Sequence, residues 1–139
     1  MDFLIKQHAT IPVLTMKMVE NNDIDVESLN KMMKNAAVTF SMIDVETGKY
    51  AIANKSGGIL NIDEGINVVC GDEYDGSTYI IYYDFTERDT RNSGYFKGEF
   101  TINFFDDDNN NKGKLIVPIQ DELNIHIMET YGKTSINGF

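Results

Sequence analysis

The feature that most constrains the fold of this chain is an alternation of apolar and polar residues that recurs along most of its length. In KGEFTINFF, for example, Phe100, Ile102 and Phe104 share one face of an extended segment, and polar residues occupy the other. Because successive side chains of a strand point to opposite sides of a sheet, this pattern predicts strands with one buried and one solvated face. It recurs in VLTMKMVE, AVTFSMID, TYIIYYDF, KLIVPI and ELNIHIM.

The alternation also predicts which side chains form the core. The residues expected to face inward are Leu14, Met16 and Met18; Val38, Phe40 and Met42; Tyr79, Ile81, Tyr83 and Phe85; Phe100, Ile102 and Phe104; Leu115, Val117 and Ile119; and Leu123, Ile125 and Ile127. Turn-forming stretches separate these segments: ETGK, KSGG, DEYDGS, RNSG and DDDNNNKG. Many short strands with frequent turns predict an all-β, antiparallel sandwich or barrel in a single domain.

One segment has the spacing of a helix instead. In DIDVESLNKMMKNAA, Asp25 is a suitable N-cap, and Val26, Leu29 and Met33 recur at intervals of three and four. We expect a short helix over 26–34 in the connection between two strands, with the methionines used for packing. The alternation is lost after Met128, so residues 1–128 are expected to form the sandwich and 129–139 a tail that leaves it.

Charge and hydropathy exclude several classes of partner. The formal net charge is −10, and nucleic acid and anionic membranes both attract cationic proteins, so neither is an expected partner. No apolar run approaches the roughly 20 residues that span a bilayer. The N-terminal stretch lacks the extended apolar region of a signal peptide.

The acidic stretch FFDDDNNNKGKL poses the main chemical question, since it is either a calcium loop or the tip of a hairpin. Counted from Asp106 as an EF-hand loop, position 6 is Asn111 and position 12 is Val117, so the required glycine and bidentate glutamate are missing. Inward-facing strands on both sides and residues that tolerate left-handed backbone favour a hairpin tip. The second acidic stretch, CGDEYDG, is interpreted in the same way.

Other catalytic or metal-binding patterns are weak. His8, His126 and Cys70 are the only residues of their types, and they lack the local spacing of a zinc site. A single cysteine also excludes an intrachain disulfide. We therefore predict no catalytic residue, no cofactor and no metal site, and we expect the protein not to be an enzyme.

Three stretches, in this order along the chain, resemble a known family: FLIKQHATIP, AAVTFSMID and DTRNSGYFKGEF. The chain is similar to the immunoglobulin-like domains of tailed-bacteriophage virion proteins, such as the N-terminal domain of phage baseplate upper proteins. The similarity spans about residues 3 to 127. The matching residues are Ile5, Lys6, Gln7, Thr10 and Pro12; Ala36, Val38, Phe40 and Met42; Asp89, Thr90, Gly94, Gly98, Glu99 and Phe100; and Ile125 and Ile127. Two departures are Ala9, where the family has aspartate, and Phe96, where it has the tyrosine of a tyrosine corner.

The resemblance implies an immunoglobulin-like β-sandwich with a structural role in a virion, in the baseplate, neck or tail. A capsid accessory or head-fibre protein is the near alternative. Other virion proteins are the implied partners, with the chain present in symmetric copies. Elements beyond the sandwich are then expected to be contact elements, and the candidate contact residues are Phe3, Leu29, Met32, Tyr131, Ile136 and Phe139.

Two functions from other classes stay open. One is a glycan-binding module, for which the tyrosine-rich stretch YDGSTYIIYYDF would supply an aromatic platform. The other is a small calcium-dependent domain built on the acidic stretches.

Overall fold

The computed structural model describes residues 1–18, 31–62 and 78–131. Within these ranges the chain is built mainly of strands: β1 (Asp2–Lys6), β2 (Leu14–Met18), β3 (Ala37–Asp44), β4 (Tyr50–Ser56), β5 (Gly58–Ile62), β6 (Thr78–Tyr83), β7 (Gly94–Phe105), β8 (Asn111–Val117) and β9 (Leu123–Met128). Residues 31–33 form a helical turn. This turn lies in the predicted helix 26–34, of which residues 26–30 lie outside the described ranges. In the described parts of the chain, no helix is long and apolar enough to cross a bilayer.

The strands form two sheets that pack face to face. The first sheet has the order β1-β9-β7-β3-β4, with β8 also paired to β7, and the second has the order β2-β6-β5. Strands of the chain are thus shared between two packed sheets, which is the arrangement of a β-sandwich. The predicted fold class, an all-β sandwich with one short helix in a connection, is confirmed.

One pairing differs from the predicted antiparallel arrangement. β1 pairs with β9 in parallel, with Leu4 opposite His126, while the other pairings are antiparallel. Strands from the two ends of the chain can pair in either direction, because no short turn connects them. The alternation of side chains is the same in both cases, so the sequence pattern did not reveal the direction.

Two strands, β9 and β8, pair with successive parts of the same side of β7. β9 pairs with β7 over Gly94–Gly98, and β8 pairs with the same side of β7 over Phe100–Phe105. Between them the chain leaves the sheet at Pro118, which has no N–H to donate to a ladder. As a result Ile119 is exposed, and its predicted inward position is wrong. Leu115 and Val117 are partly buried against the core.

The stretch KSGG is a crossing between the sheets and not a hairpin turn. β4 pairs with β3 in the first sheet, and β5, which begins directly after Gly57, pairs with β6 in the second. A Cβ atom at Gly57 would lie 2.6 Å from the carbonyl oxygen of Tyr82. Only glycine therefore allows the backbone to pass this close to β6.

The core lies between the sheets and is rich in aromatic rings. Phe40 is central: its ring centroid lies 5.0 Å from that of Phe100 and 4.8 Å from that of Tyr83. The Phe85 ring packs edge-on against Tyr83 at 5.2 Å and stacks on Phe3 at 5.7 Å. Apart from the positions just discussed and Met18, which is partly buried, the side chains predicted to face inward are buried. Tilted and edge-to-face ring pairs add to the stabilisation from apolar burial.

Candidate interaction surfaces

The acidic stretch is the tip of a hairpin, as predicted. β7 and β8 pair in antiparallel fashion on either side of it. The Oδ1 atom of Asp106 accepts hydrogen bonds from the backbone N–H groups of Asp108 (2.9 Å) and Asn110 (2.8 Å). Asn109 has a φ of 67°, a conformation that asparagine tolerates better than most residues. The hydrogen bonds from Asn110 hold the pKa of the Asp106 carboxyl below its usual range. This carboxylate therefore shapes the tip.

In residues 1–18, 31–62 and 78–131, no three His, Cys, Asp or Glu side chains are grouped as a metal site would require. The stretch CGDEYDG and Cys70 lie outside these ranges. We predict that the melting temperature of the protein is the same within about 1 °C in EDTA and in millimolar calcium, because a metal stabilises a folded protein only if it binds to it. Thermal unfolding followed by circular dichroism checks this. A drop of several degrees in EDTA would assign the acidic residues to a calcium site.

Next to the hairpin tip lies an apolar depression of about 410 Å³, which we call the hairpin-end patch. Its apolar lining is Met32, Phe104 and Phe105. The tip is tied to the segment that carries Met32, because Asp107 accepts a hydrogen bond from the Asn35 amide (3.0 Å) and pairs with Lys34 (3.4 Å). The two neighbouring methionines have different environments, since Met33 is buried in the core and Met32 is exposed.

A second surface lies where the chain leaves β9. Tyr131 is 95% exposed, and the Nζ atom of Lys6 lies 5.1 Å from the centroid of its ring. Lys6 also donates to the carbonyl of Glu129 (3.4 Å), and the Gln7 side chain accepts from the N–H of Thr130 (3.4 Å). These contacts fix the outgoing chain against the end of β1. We call this surface the tail end.

The other predicted contact residues have different positions. Phe3 is partly buried and packs on Phe85 at the border of the core, and its neighbour Leu4 has the exposed position. Leu29, Ile136 and Phe139 lie outside the described residues.

The hairpin-end patch and the tail end lie at opposite ends of the sandwich. β3 and β9 both run antiparallel to β7, so β3 begins where β7 ends, and β9 ends where β7 begins. Met32 precedes β3 and Tyr131 follows β9. β7 has 12 residues, which corresponds to about 40 Å at the rise of a β-strand. The two surfaces are therefore separated by the full length of the longest described strand.

A third surface was not predicted from the sequence. On the outer face of the first sheet, Leu4 is opposite His126, and His126 is opposite Tyr95. The N–H of Val45 donates a hydrogen bond to the carbonyl of Tyr95 at 3.0 Å. Val45 is therefore the fourth residue of this row, next to Tyr95. We call these residues the outer-face row. The rings of Tyr95 and His126 stack, with centroids 4.2 Å apart and planes at 14°.

The outer-face row is difficult to recognise in the sequence because its members come from four separate segments. Leu4, Val45 and Tyr95 are large apolar or aromatic residues that stay exposed. The only local signal is that Tyr95 lies on the polar phase of the alternation in β7. The tyrosines of YDGSTYIIYYDF, which the sequence suggested as a glycan platform, are positioned differently, and Tyr74 lies outside the described residues. Tyr79 and Tyr83 are buried, and Tyr82 is half-buried.

The corner before β7 is held by a buried carboxylate instead of a tyrosine corner. The Asp89 side chain is 2% exposed. It accepts hydrogen bonds from the Tyr83 hydroxyl (2.7 Å), the Thr86 N–H (3.0 Å) and Lys55 (3.2 Å). The Thr90 hydroxyl, also buried, donates to the carbonyl of Ala9 at 2.9 Å. Phe96 has no hydroxyl to offer, and in the described residues these hydrogen bonds hold the corner.

The contacts of Asp89 change the acidity of two groups. Burial alone would raise the pKa of the Asp89 carboxyl, but hydrogen bonds from Thr86, Tyr83 and Lys55 outweigh it and hold that pKa below its usual value. Burial, followed by the hydrogen bond to Asp89, raises the pKa of the Tyr83 hydroxyl. Asp89 is thus ionised and Tyr83 neutral near pH 7, which is the arrangement in which the tyrosine donates and the carboxylate accepts.

Comparisons of the chain with protein-family models, with curated proteins and with solved structures gave no match.

Proposed function

We propose that this protein is a non-catalytic structural component of a tailed-phage virion, located in the baseplate, neck or tail, where it binds other virion proteins. A capsid accessory or head-fibre protein is the second possibility within the same class. The basis is the ordered series of sequence motifs shared with immunoglobulin-like virion domains, together with the β-sandwich fold. Its location is then the virion, and its partners are neighbouring virion proteins, including further copies of itself.

The observation that carries this proposal is that the hairpin-end patch and the tail end, both partly exposed, lie at opposite ends of the sandwich. A subunit that uses different surfaces at its two ends makes head-to-tail contacts, and such contacts generate rings or filaments. Repeated arrangements of this kind are what a baseplate, neck or tail is made of. The hairpin-end patch and the tail end are suited to the two sides of such a contact series.

Four carboxylates of the described residues have a structural role and are not suited to act as general acids. The pKa values of Asp89, Asp106, Asp107 and Asp121 are all lowered, and each of these groups accepts hydrogen bonds from within the fold. A general acid at neutral pH needs a raised pKa instead. These four carboxylates therefore act as ionised acceptors that hold loops in place.

The proposal predicts that the tail beyond the sandwich is needed for assembly and not for folding. Deletion of residues 132–139 retains the contacts of Glu129 with Lys6 and of Thr130 with Gln7, and it removes Ile136 and Phe139. Burial of such side chains against a partner contributes about 1.5–3 kcal/mol each. We expect a phage that carries this deletion to contain at least tenfold less of the protein in purified particles, as measured by immunoblot. The purified variant should keep the melting temperature of the wild type.

A matched pair of substitutions tests the other end. Met32 and Leu60 are exposed to a similar extent, 40% and 41%, but Leu60 lies on β5 in the second sheet. We expect Met32→Asp to reduce incorporation into particles and Leu60→Asp to leave it unchanged. If the protein is absent from purified wild-type particles, or if both the deletion and Met32→Asp are incorporated normally, the structural role is wrong.

A further inference from the structure

The outer face of the first sheet carries a groove whose lining shares no residue with the hairpin-end patch or with the tail end. It has a volume of about 570 Å³, and the outer-face row is part of its lining. Binding pockets for small ligands typically measure roughly 300–1,000 Å³. The remaining side chains that reach it from the outer face are polar: Asp2, Lys97 and Asn124. The groove thus has an aromatic and aliphatic side and a hydrogen-bonding side.

The aromatic side has a free surface. The Tyr95 ring is covered on one face by His126 and is still 65% exposed. That exposure must come from its other face, its edge and its hydroxyl. A tyrosine ring fixed by stacking loses little further conformational entropy when a ligand binds to it. Tyr95 is therefore a preorganised surface for a ligand that has an apolar face.

The polar side is also preorganised. In the cross-strand row next to Tyr95, Asn124 is opposite both Asp2 and Lys97. The amide nitrogen of Asn124 donates to Oδ1 of Asp2 at 3.2 Å. This contact leaves the Asn124 oxygen and the second Asp2 oxygen as acceptors. Lys97 is held by Glu122 at 2.6 Å, which fixes the third polar group beside them.

From this combination we infer that the groove binds a neutral saccharide. A pyranose ring has a face of C–H groups, which packs on the negative face of an aromatic ring, and a rim of hydroxyls, which bonds to carboxylate and amide oxygens. The groove offers both types of surface side by side. Acidic saccharides are disfavoured because Asp2 borders the groove and the whole chain carries a net charge of −10.

The test begins with a glycan array that carries neutral, amino-sugar and acidic oligosaccharides, probed with the full chain. The neutral oligosaccharide with the strongest signal is then titrated by isothermal calorimetry against the wild type and its variants. We expect Tyr95→Ala to weaken binding by about tenfold, because it removes the stacking surface. Tyr95→Phe, which keeps the ring, should stay within about threefold of the wild type. Asn124→Ala should also weaken binding.

Tyr50→Ala is the matched control. Tyr50 is another exposed tyrosine on β4 in the same sheet, and it does not line this groove. Its substitution should leave the affinity unchanged. The saccharide site is overturned if no neutral glycan on the array binds above background, if acidic glycans are preferred, or if Tyr95→Ala binds as well as the wild type. It is also overturned if Tyr95→Ala lowers only incorporation into particles, since the face is then a protein contact.

The outcome is separable from that of the structural role proposed above. Met32 does not line the groove, and the deletion of residues 132–139 retains all the described residues that line it. Both variants should therefore bind the saccharide with wild-type affinity. A protein that is absent from virions but loses saccharide binding in the Tyr95→Ala variant would refute the first proposal and support this one.

Discussion

Replacement of Phe100 by alanine is expected to lower the free energy of unfolding by about 3–5 kcal/mol, the range found for large-to-small changes of aromatic core residues. Phe100 is fully buried, and its ring contacts Phe40 at the centre of the aromatic cluster. It also lies in the middle of β7, where β3 pairs on one side and β8 on the other. The cavity can therefore not collapse without moving three strands. Urea denaturation followed by circular dichroism measures the loss.

Phe105→Ala is the matched control for this substitution. Phe105 lies on the same strand but is only partly buried, so its loss should cost about 1 kcal/mol or less. Similar losses for the two variants would show that the assignment of the inner and outer phases of β7 is wrong. The comparison also separates the effect of the core from the general effect of removing an aromatic ring from a strand.

Replacement of Asp89 by asparagine is expected to have the second-largest effect, a loss of about 2–3 kcal/mol at pH 7. The carboxylate accepts from Tyr83 and Thr86 through one oxygen and from Lys55 through the other. An asparagine oxygen can replace only one of these acceptors. The amide N–H₂ group would then face either the Lys55 ammonium or the Tyr83 hydroxyl and the Thr86 N–H, all of them donors.

The Asp89 carboxylate should also make the free energy of unfolding depend on pH. The pKa of the Asp89 carboxyl is lower in the folded protein than its ordinary value of 3.8. Its contribution to stability is therefore complete above the unfolded-state pKa and is lost as the pH falls below about 4 and through the folded-state pKa. Asp106, Asp107 and Asp121 have lowered pKa values as well, so the difference between the wild type and D89N isolates the part due to Asp89.

The measurement is the urea midpoint of both proteins between pH 7 and pH 2.5. The advantage of the wild type over D89N should be constant down to about pH 4.5 and should decrease below it. Asp84→Asn, at an exposed position in the same connection, serves as the control and should lower the midpoint at pH 7 much less than D89N does. A constant difference between the wild type and D89N down to pH 2.5 would contradict the assigned ionisation of Asp89.

The sequence determined the class of fold and the composition of the core. Phe100, Ile102 and Phe104 are buried because strand side chains alternate strictly between two faces, and a residue's own neighbours reveal this alternation. The hairpin tip was recognisable for a similar reason. Asp106 bonds to backbone groups only two and four residues away, so the chemistry that shapes the tip is contained in one short stretch.

The local sequence pattern was less informative at positions where the packing of the strands determines whether a side chain is buried. Ile119 continues the alternation of β8 but is exposed, because Pro118 ends the ladder before it. Ile80 lies on the phase opposite to Tyr79 and Ile81, yet it is buried as well. Its strand, β6, is the central strand of the second sheet, so Ile80 has a cross-strand neighbour on each side, Lys17 on β2 and Leu60 on β5.

The candidate interaction surfaces depend on contacts between distant parts of the chain, and only the tertiary structure decided which parts meet. Tyr95 and His126 stack because β7 and β9 pair in one register, and Leu4 joins them because β1 adds to β9 in parallel. Asp89 is buried because β6, β4 and the corner before β7 meet at one point. A strand pattern specifies which face of the sheet a residue occupies. The order, direction and register of the strands depend instead on how sequence-distant segments pack around a shared core. The sequence therefore determined the sandwich and its inner faces, and the fold decided which exposed residues lie together.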